Sequence, residues 1–185
     1  MNRRIHIMGA SGSGTTTLAR ALAAKLLYTP LDSDDYFWER KFSVQTEKHE
    51  RLRRIRQDLE DREPWILSGA VCGWGDGLKS CFDLVIFLWI PPNLRLERLR
   101  AREYERYGED SLPGGSKYED VQAFLKWAAL YDTAGAEVRS RVLHEEWLSG
   151  LQCPVLRLVE DLSVGERVER VLDYLGHSGV HSAGE

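Results

Sequence analysis

Gly9-Ala10-Ser11-Gly12-Ser13-Gly14-Thr15-Thr16-Thr17 is the stretch on which the reading of this chain turns. A β-branched run, Ile5-His6-Ile7-Met8, leads into it, and Leu18, Ala21, Leu22 and Leu26 leave it at helical spacing. Its first eight residues fit G-x-x-x-x-G-K-[ST] everywhere except the lysine, which is Thr15 here. Glycines let a backbone wrap an anion with its N–H groups turned inward, at φ values that other residues avoid. The helix that follows adds the partial positive charge of its N-terminus. Gly9, Ser11, Gly12, Ser13, Gly14, Thr15, Thr16 and Thr17 are therefore expected to hold the phosphates of a nucleoside triphosphate, with Thr16 as the hydroxyl ligand of Mg²⁺. The absent lysine normally balances charge between the β- and γ-phosphates. Thr15 carries no charge, so another cation must substitute, or the loop binds nucleotide without fast turnover.

Outward from the loop, short apolar runs alternate with helical patterns. Strands are expected at Tyr28 to Leu31, Trp65 to Ser68, Asp83 to Ile90 and Pro154 to Leu158. Helices are expected at Thr16 to Leu27, Glu47 to Arg62, Asn93 to Tyr107 and Val164 to Leu175, with two more between Tyr118 and Gly150. In the second of these, Leu52, Ile55 and Leu59 share a face and the arginines at 51, 53, 54 and 56 lie mostly off it. Ser163 and Glu166 match a capping box. This alternation predicts one three-layer α/β domain over residues 1–175 with a parallel sheet, and a small, polar tail over 176–185.

The 185 residues carry a net charge of -4 and are 43% hydrophobic, a globular balance that argues against a nucleic-acid polymer as partner. Three cysteines form no C-x-x-C pair, and the longest apolar run, Leu84 to Pro92, is roughly half the length of a membrane span. A reduced, cytoplasmic protein without a membrane segment is the expectation.

In doubly wound sheets function gathers at the carboxyl ends of strands. Asp32, Asp34 and Asp35 fall at such an end, where one carboxylate can hold metal through water and another can take a proton from an attacking hydroxyl. Asp32 and Asp34 would share a face if the strand continued, and Asp34 is the favoured catalytic candidate. Tyr36, Phe37 and Trp38, next in sequence, suit either stacking on a flat substrate or packing. Arg95, Arg98, Arg102 and Arg106 recur along one side of the helix after Pro92, which ends in the glycine-rich segment Gly108 to Lys117. A mobile lid spanning about 98–118 would bring Arg102 and Arg106 to the γ-phosphate. His144, Glu145 and Glu146 read as a solvated helix face rather than a metal cluster.

With these features together, the sequence resembles the adenylate-kinase-like group of P-loop nucleotide and nucleoside kinases, over roughly Ile5 to Leu175. The resemblance implies a five-stranded sheet in the order 2-3-1-4-5, a lid after the fourth strand and Mg-ATP as donor. Glu97-Arg98-Leu99-Arg100-Ala101-Arg102 looks like the group's E-R-L-x-x-R segment, which would lay Arg98 over the adenine and carry Arg102 to the phosphates. Ser68-Gly69 stands where nucleotide kinases usually carry Asp-Gly. Asp32-Ser33-Asp34 is instead similar to the D-x-D of shikimate and gluconate kinases. The implied function is phosphoryl transfer from ATP to a nucleotide, nucleoside or similar small acceptor. A nucleotide-binding regulatory module is the alternative, and a hydrolytic switch fits less well because no apolar run ends in a Walker B aspartate.

Overall fold

Residues 2–40 and 44–180 are described by the computed structural model of the chain. The run that enters the phosphate loop forms β1 (Arg4–Gly9), and the loop opens into α1 (Thr15–Leu26). The chain returns as β2 (Thr29–Asp32), turns through the short α2 (Asp34–Phe37), and makes a small hairpin of β3 (Trp38–Arg40) and β4 (Val44–Gln45). Then come α3 (Lys48–Asp61), β5 (Trp65–Ser68), β6 (Leu84–Leu88) and the long α4 (Pro92–Tyr107). The remainder is α5 (Tyr118–Ala129), α6 (Arg141–Ser149), β7 (Val155–Leu158) and α7 (Val164–Val180).

Five strands form one sheet in the order β2-β5-β1-β6-β7. Every pairing in it is parallel, so among the sheet strands the order is the expected 2-3-1-4-5. A parallel sheet must be covered on both faces, and the alternation of side chains supplies two apolar surfaces. Ile5, Ile7, Ile66 and Ile86 face Leu18 and Leu22 of α1 and Val168 and Val171 of α7. Met8, Trp65, Leu67 and Phe87 pack instead with Ile55 and Leu59 of α3 and with Trp147 and Leu148 of α6. Each fully buried side chain of this size contributes roughly 1.5–3 kcal/mol. A third cluster, Leu99 with Val121, Leu125 and Ala128, joins α4 to α5.

Two local features depart from the sequence pattern. The glycine-rich segment Gly108 to Lys117 after α4 begins with a 3₁₀ turn (Gly108–Ser111), and Asp110 of that turn accepts from Ser116 and Lys117. Helix α7 continues past Leu175 through Val180, and residues 181–185 of the expected tail lie outside the described residues. The capping box is formed as expected. Ser163 N–H donates to Glu166 Oε2 at 2.8 Å, and Glu166 N–H donates to Ser163 Oγ at 3.3 Å. No described helix is long and apolar enough to cross a membrane.

Candidate nucleotide and phosphoryl-transfer site

β1 is the central strand, so the loop at its carboxyl end emerges in the middle of the sheet edge. The loop has no room for larger residues. A Cβ at Gly9 would meet the Leu88 carbonyl at 2.5 Å. Gly12, at φ 84°, would bring one to 2.8 Å from the Arg95 carbonyl. Gly14, at φ 94°, is the N-cap of α1 and supplies no side-chain cap, so the first amides of the helix are left unclaimed by a capping side chain. This is the backbone of an anion cradle.

Two strands away, β2 ends at Asp32, paired in register with Ser68 of β5, which is itself paired with Ile7 of β1. That register brings Asp32 beside α1. Thr16 Oγ1 donates to Asp32 Oδ2 at 2.9 Å, and Asp34 N–H donates to Asp32 Oδ1 at 3.0 Å. The strand does not continue to Asp34, as the shared-face reading assumed. Instead Asp32 accepts from the first amide of α2 and fixes where Asp34 begins that helix. Gly69, at φ 99°, lets β5 pass close by, because a Cβ there would collide with Ser33 Oγ. A hydroxyl and a carboxylate at the loop mouth are hard oxygen donors. They suit Mg²⁺, which takes one or two protein oxygens and completes its shell with phosphate and water. No cluster of three or more His, Cys, Asp or Glu side chains suited to a metal occurs among the described residues.

The arginines of α4 have separate fates. Arg95 is wholly buried, ion-paired with Asp132 and set over the Tyr131 ring, so its role is structural. Arg98 pairs with Asp161 at 3.1 Å, both side chains about half exposed. Arg102 and Arg106 both donate to Glu103, which is only 4% exposed, at 2.9 and 3.2 Å. The turn of α4 at Arg95 abuts Gly12; Arg102 and Arg106 lie about 10 and 16 Å further along the helix axis.

A residue that sequence reading passed over lies closer. Arg167 of α7 is 2% exposed, and its Nη1 donates to the Ser13 carbonyl at 2.7 Å. The available signal was its place on α7: Arg167 stands four residues before Val171 and adjoins Val168, so it sits in the apolar stripe.

Of the aromatic residues that follow Asp35, Tyr36 and Phe37 are engaged in packing, and the segment after β5 is held by its own contacts. Tyr36 is buried and donates to Asp58 at 2.6 Å, an arrangement that, with burial first, pushes its phenol pKa upward. Phe37 lies under the guanidinium of Arg51, which is buried rather than solvated because its Nε donates to the Thr46 carbonyl at 2.6 Å. Trp74 is buried, and Asp76 accepts from Gly73 N–H and Trp147 Nε1. Lys48 donates to the Gly73 carbonyl, tying α3 to the loop after β5. His144 is not on a solvated face: it is fully buried, its Nδ1 2.8 Å from the Tyr131 hydroxyl. Glu145 alone of that trio faces an exposed partner, Arg157.

Fold and loop together define a nucleotide-binding P-loop protein of the kinase-fold class. The chain belongs to the AAA domain family (AAA_18), which it matches over residues 5–123. It is 61% identical to the uncharacterized protein YqaC of Bacillus subtilis over 175 residues, 95% of this chain and 98% of that protein. It is also 32% identical to the cytidylate kinase of Methanocorpusculum labreanum over 117 residues, 54% of this chain and 63% of that enzyme. Among solved structures, shikimate kinase from Bacteroides thetaiotaomicron has the same fold, with a TM-score of 0.59 at 20% identity over 95% of this chain and 99% of that one.

Proposed function

We propose that this protein is a phosphotransferase that moves the γ-phosphoryl group of Mg-ATP to a small acceptor. The observation that carries the reading is the hydrogen bond from Thr16 to Asp32, which joins the loop hydroxyl to the strand-end carboxylate at the place where metal and phosphate would meet. Bound Mg²⁺ would neutralise phosphate charge there, with Thr16 as a direct ligand and Asp32 acting through water. The amides from Gly9 to Thr17 would hold the phosphates. Asp34, oriented by Asp32, would accept the proton of the attacking hydroxyl. Arg98 would lie over the adenine. Arg102 and Arg106 would leave Glu103 as a lid over 98–118 closes, excluding water and meeting the charge that develops on the γ-phosphate.

The D-x-D of Asp32 and Asp34 favours a hydroxyl acceptor, a class that includes nucleosides and small hydroxy acids. Screening nucleotides, nucleosides, sugars and hydroxy acids with Mg-ATP for ADP release tests the proposal. Absence of acceptor-dependent turnover by a folded protein that binds ATP would overturn it. A second reading, a nucleotide-binding regulatory module without efficient catalysis, is favoured by two observations: Arg102 and Arg106 are tied to a buried glutamate, and the loop has no lysine. Substituting Arg102 and Arg106 separates the two, since a binder keeps its ATP affinity and has no rate to lose.

A further inference from the structure

We propose that Arg167 is the fixed cation of the phosphate loop, a positioning residue that turns the Gly14 amide toward the bound phosphates and supplies positive charge that Thr15 cannot. The proposal rests on the reading that the loop binds a triphosphate.

Its basis is the state of the guanidinium. Arg167 is 2% exposed, and its Nε and Nη2 are buried without a hydrogen-bond partner among the described residues. The carboxylate that acts on it, Asp161, is ion-paired to Arg98. A buried cation with no carboxylate of its own is unfavourable unless an anion completes it. What it touches is the loop: Nη1 lies 2.7 Å from the Ser13 carbonyl and 3.3 Å from where a Cβ on Gly14 would stand. Burial and neighbouring Arg98 both work against its charged form, as expected for a cation that lacks its counter-charge.

The geometry of one peptide unit then links this contact to ligand binding. In a trans peptide the carbonyl of one residue and the N–H of the next point in opposite directions. Arg167 holds the Ser13 carbonyl, so the Gly14 N–H points away from the guanidinium, the direction the proposal gives to the bound phosphates. The same contact polarises that amide and strengthens it as a donor to an anion. The charge reaches the phosphates from behind the backbone, where a Walker lysine would deliver it from the front.

The test compares wild type, Arg167→Met, and Arg167→Met combined with Thr15→Lys. Each is titrated with inorganic tripolyphosphate, a non-hydrolysable Mg-ATP analogue, and adenosine. Loss of one charge-assisted contact should weaken tripolyphosphate and ATP analogue by ~10–100-fold and leave adenosine unchanged. Thr15→Lys should recover tripolyphosphate affinity in the Arg167→Met background. The unliganded Arg167→Met protein should melt no lower than wild type, because an unpaired buried charge has been removed. Undiminished tripolyphosphate affinity, or a lowered melting point with equal loss of all three ligands, overturns the proposal. If Arg167→Met does not fold, Arg167→Gln carries the same comparison, and failure of both to fold assigns the residue to the core and overturns it. Wild type that binds neither tripolyphosphate nor the ATP analogue defeats the phosphotransferase reading itself, which is a separate result.

Discussion

Thr16 of α1 donates its hydroxyl hydrogen to Asp32 of β2 at 2.9 Å, across the edge where β1, β5 and β2 end side by side. The same carboxylate receives the Asp34 amide, so one side chain couples the phosphate loop to the first turn of α2. Asp32→Asn removes the charge while keeping an acceptor oxygen for either donor. Turnover should fall at least 100-fold and its Mg²⁺ dependence should shift to higher concentration, with the thermal midpoint little changed. Asp34→Ala should lower kcat by ~10²–10⁴-fold and leave ATP-analogue affinity intact. A coupled ADP assay and calorimetric titration check both.

Arg95 and Asp132 bear on stability. Asp132 also accepts from Trp89 Nε1 at 2.6 Å, so its removal orphans a buried guanidinium and an indole. Breaking a buried pair from one side costs about 3–5 kcal/mol. Asp132→Ala should show a loss of that order in urea unfolding, and Arg95→Met, which removes the charge as well, should lose less.

Acid should unfold the protein by way of two histidines. His6 is buried between Phe82 and Trp147, and burial lowers its pKa from 6.5 to about 4. Burial, then Arg139 and His6, lower that of His144 to about 3. Both are depressed in the folded state, so the unfolded chain takes up the proton first as pH falls. Stability is therefore complete above pH 6.5 and declines through pH 6.5 to 4 for His6, continuing to about 3 for His144. Each unit of difference corresponds to about 1.4 kcal/mol, so each residue accounts for a few kcal/mol. Urea midpoints measured from pH 7 to pH 4 should fall steeply. In His6→Phe the slope over that range should be roughly halved.

Glu103 pairs with both Arg102 and Arg106 in the structure. Glu103→Gln weakens that pairing without emptying the space. If Arg102 and Arg106 serve the γ-phosphate, the variant should bind the Mg-ATP analogue several-fold more tightly, and Arg102→Ala should lower kcat by at least 10-fold. Unchanged affinity in the first and unchanged rate in the second would assign both arginines to the surface of α4.

The sheet was legible because its strands are short apolar runs punctuated by glycine, and the phosphate loop because its glycines are demanded by contacts as tight as 2.5 Å at Gly9. The capping box at Ser163 was legible for the same local reason. What was not legible depends on tertiary partners that the helical and strand periodicities do not specify. Arg51 reads as lying off the apolar face of its helix, yet the Thr46 carbonyl and the Phe37 ring enclose it. His144 sat among glutamates in sequence, yet its helix turns it toward Tyr131 and Phe87. Arg167 is 154 residues from the carbonyl it holds, and no local pattern specifies that distance.

Arg95 has one more consequence, for motion. Its backbone carbonyl fills the place where a side chain on Gly12 would stand and its side chain is anchored in Asp132, so the first turn of α4 packs against the phosphate loop and the chain beyond α5. A lid hinged at Pro91 would have to break that packing. Any lid movement of the kind proposed above would have to begin beyond Arg95, and Arg106, a turn further along α4 than Arg102, would then sweep the wider arc.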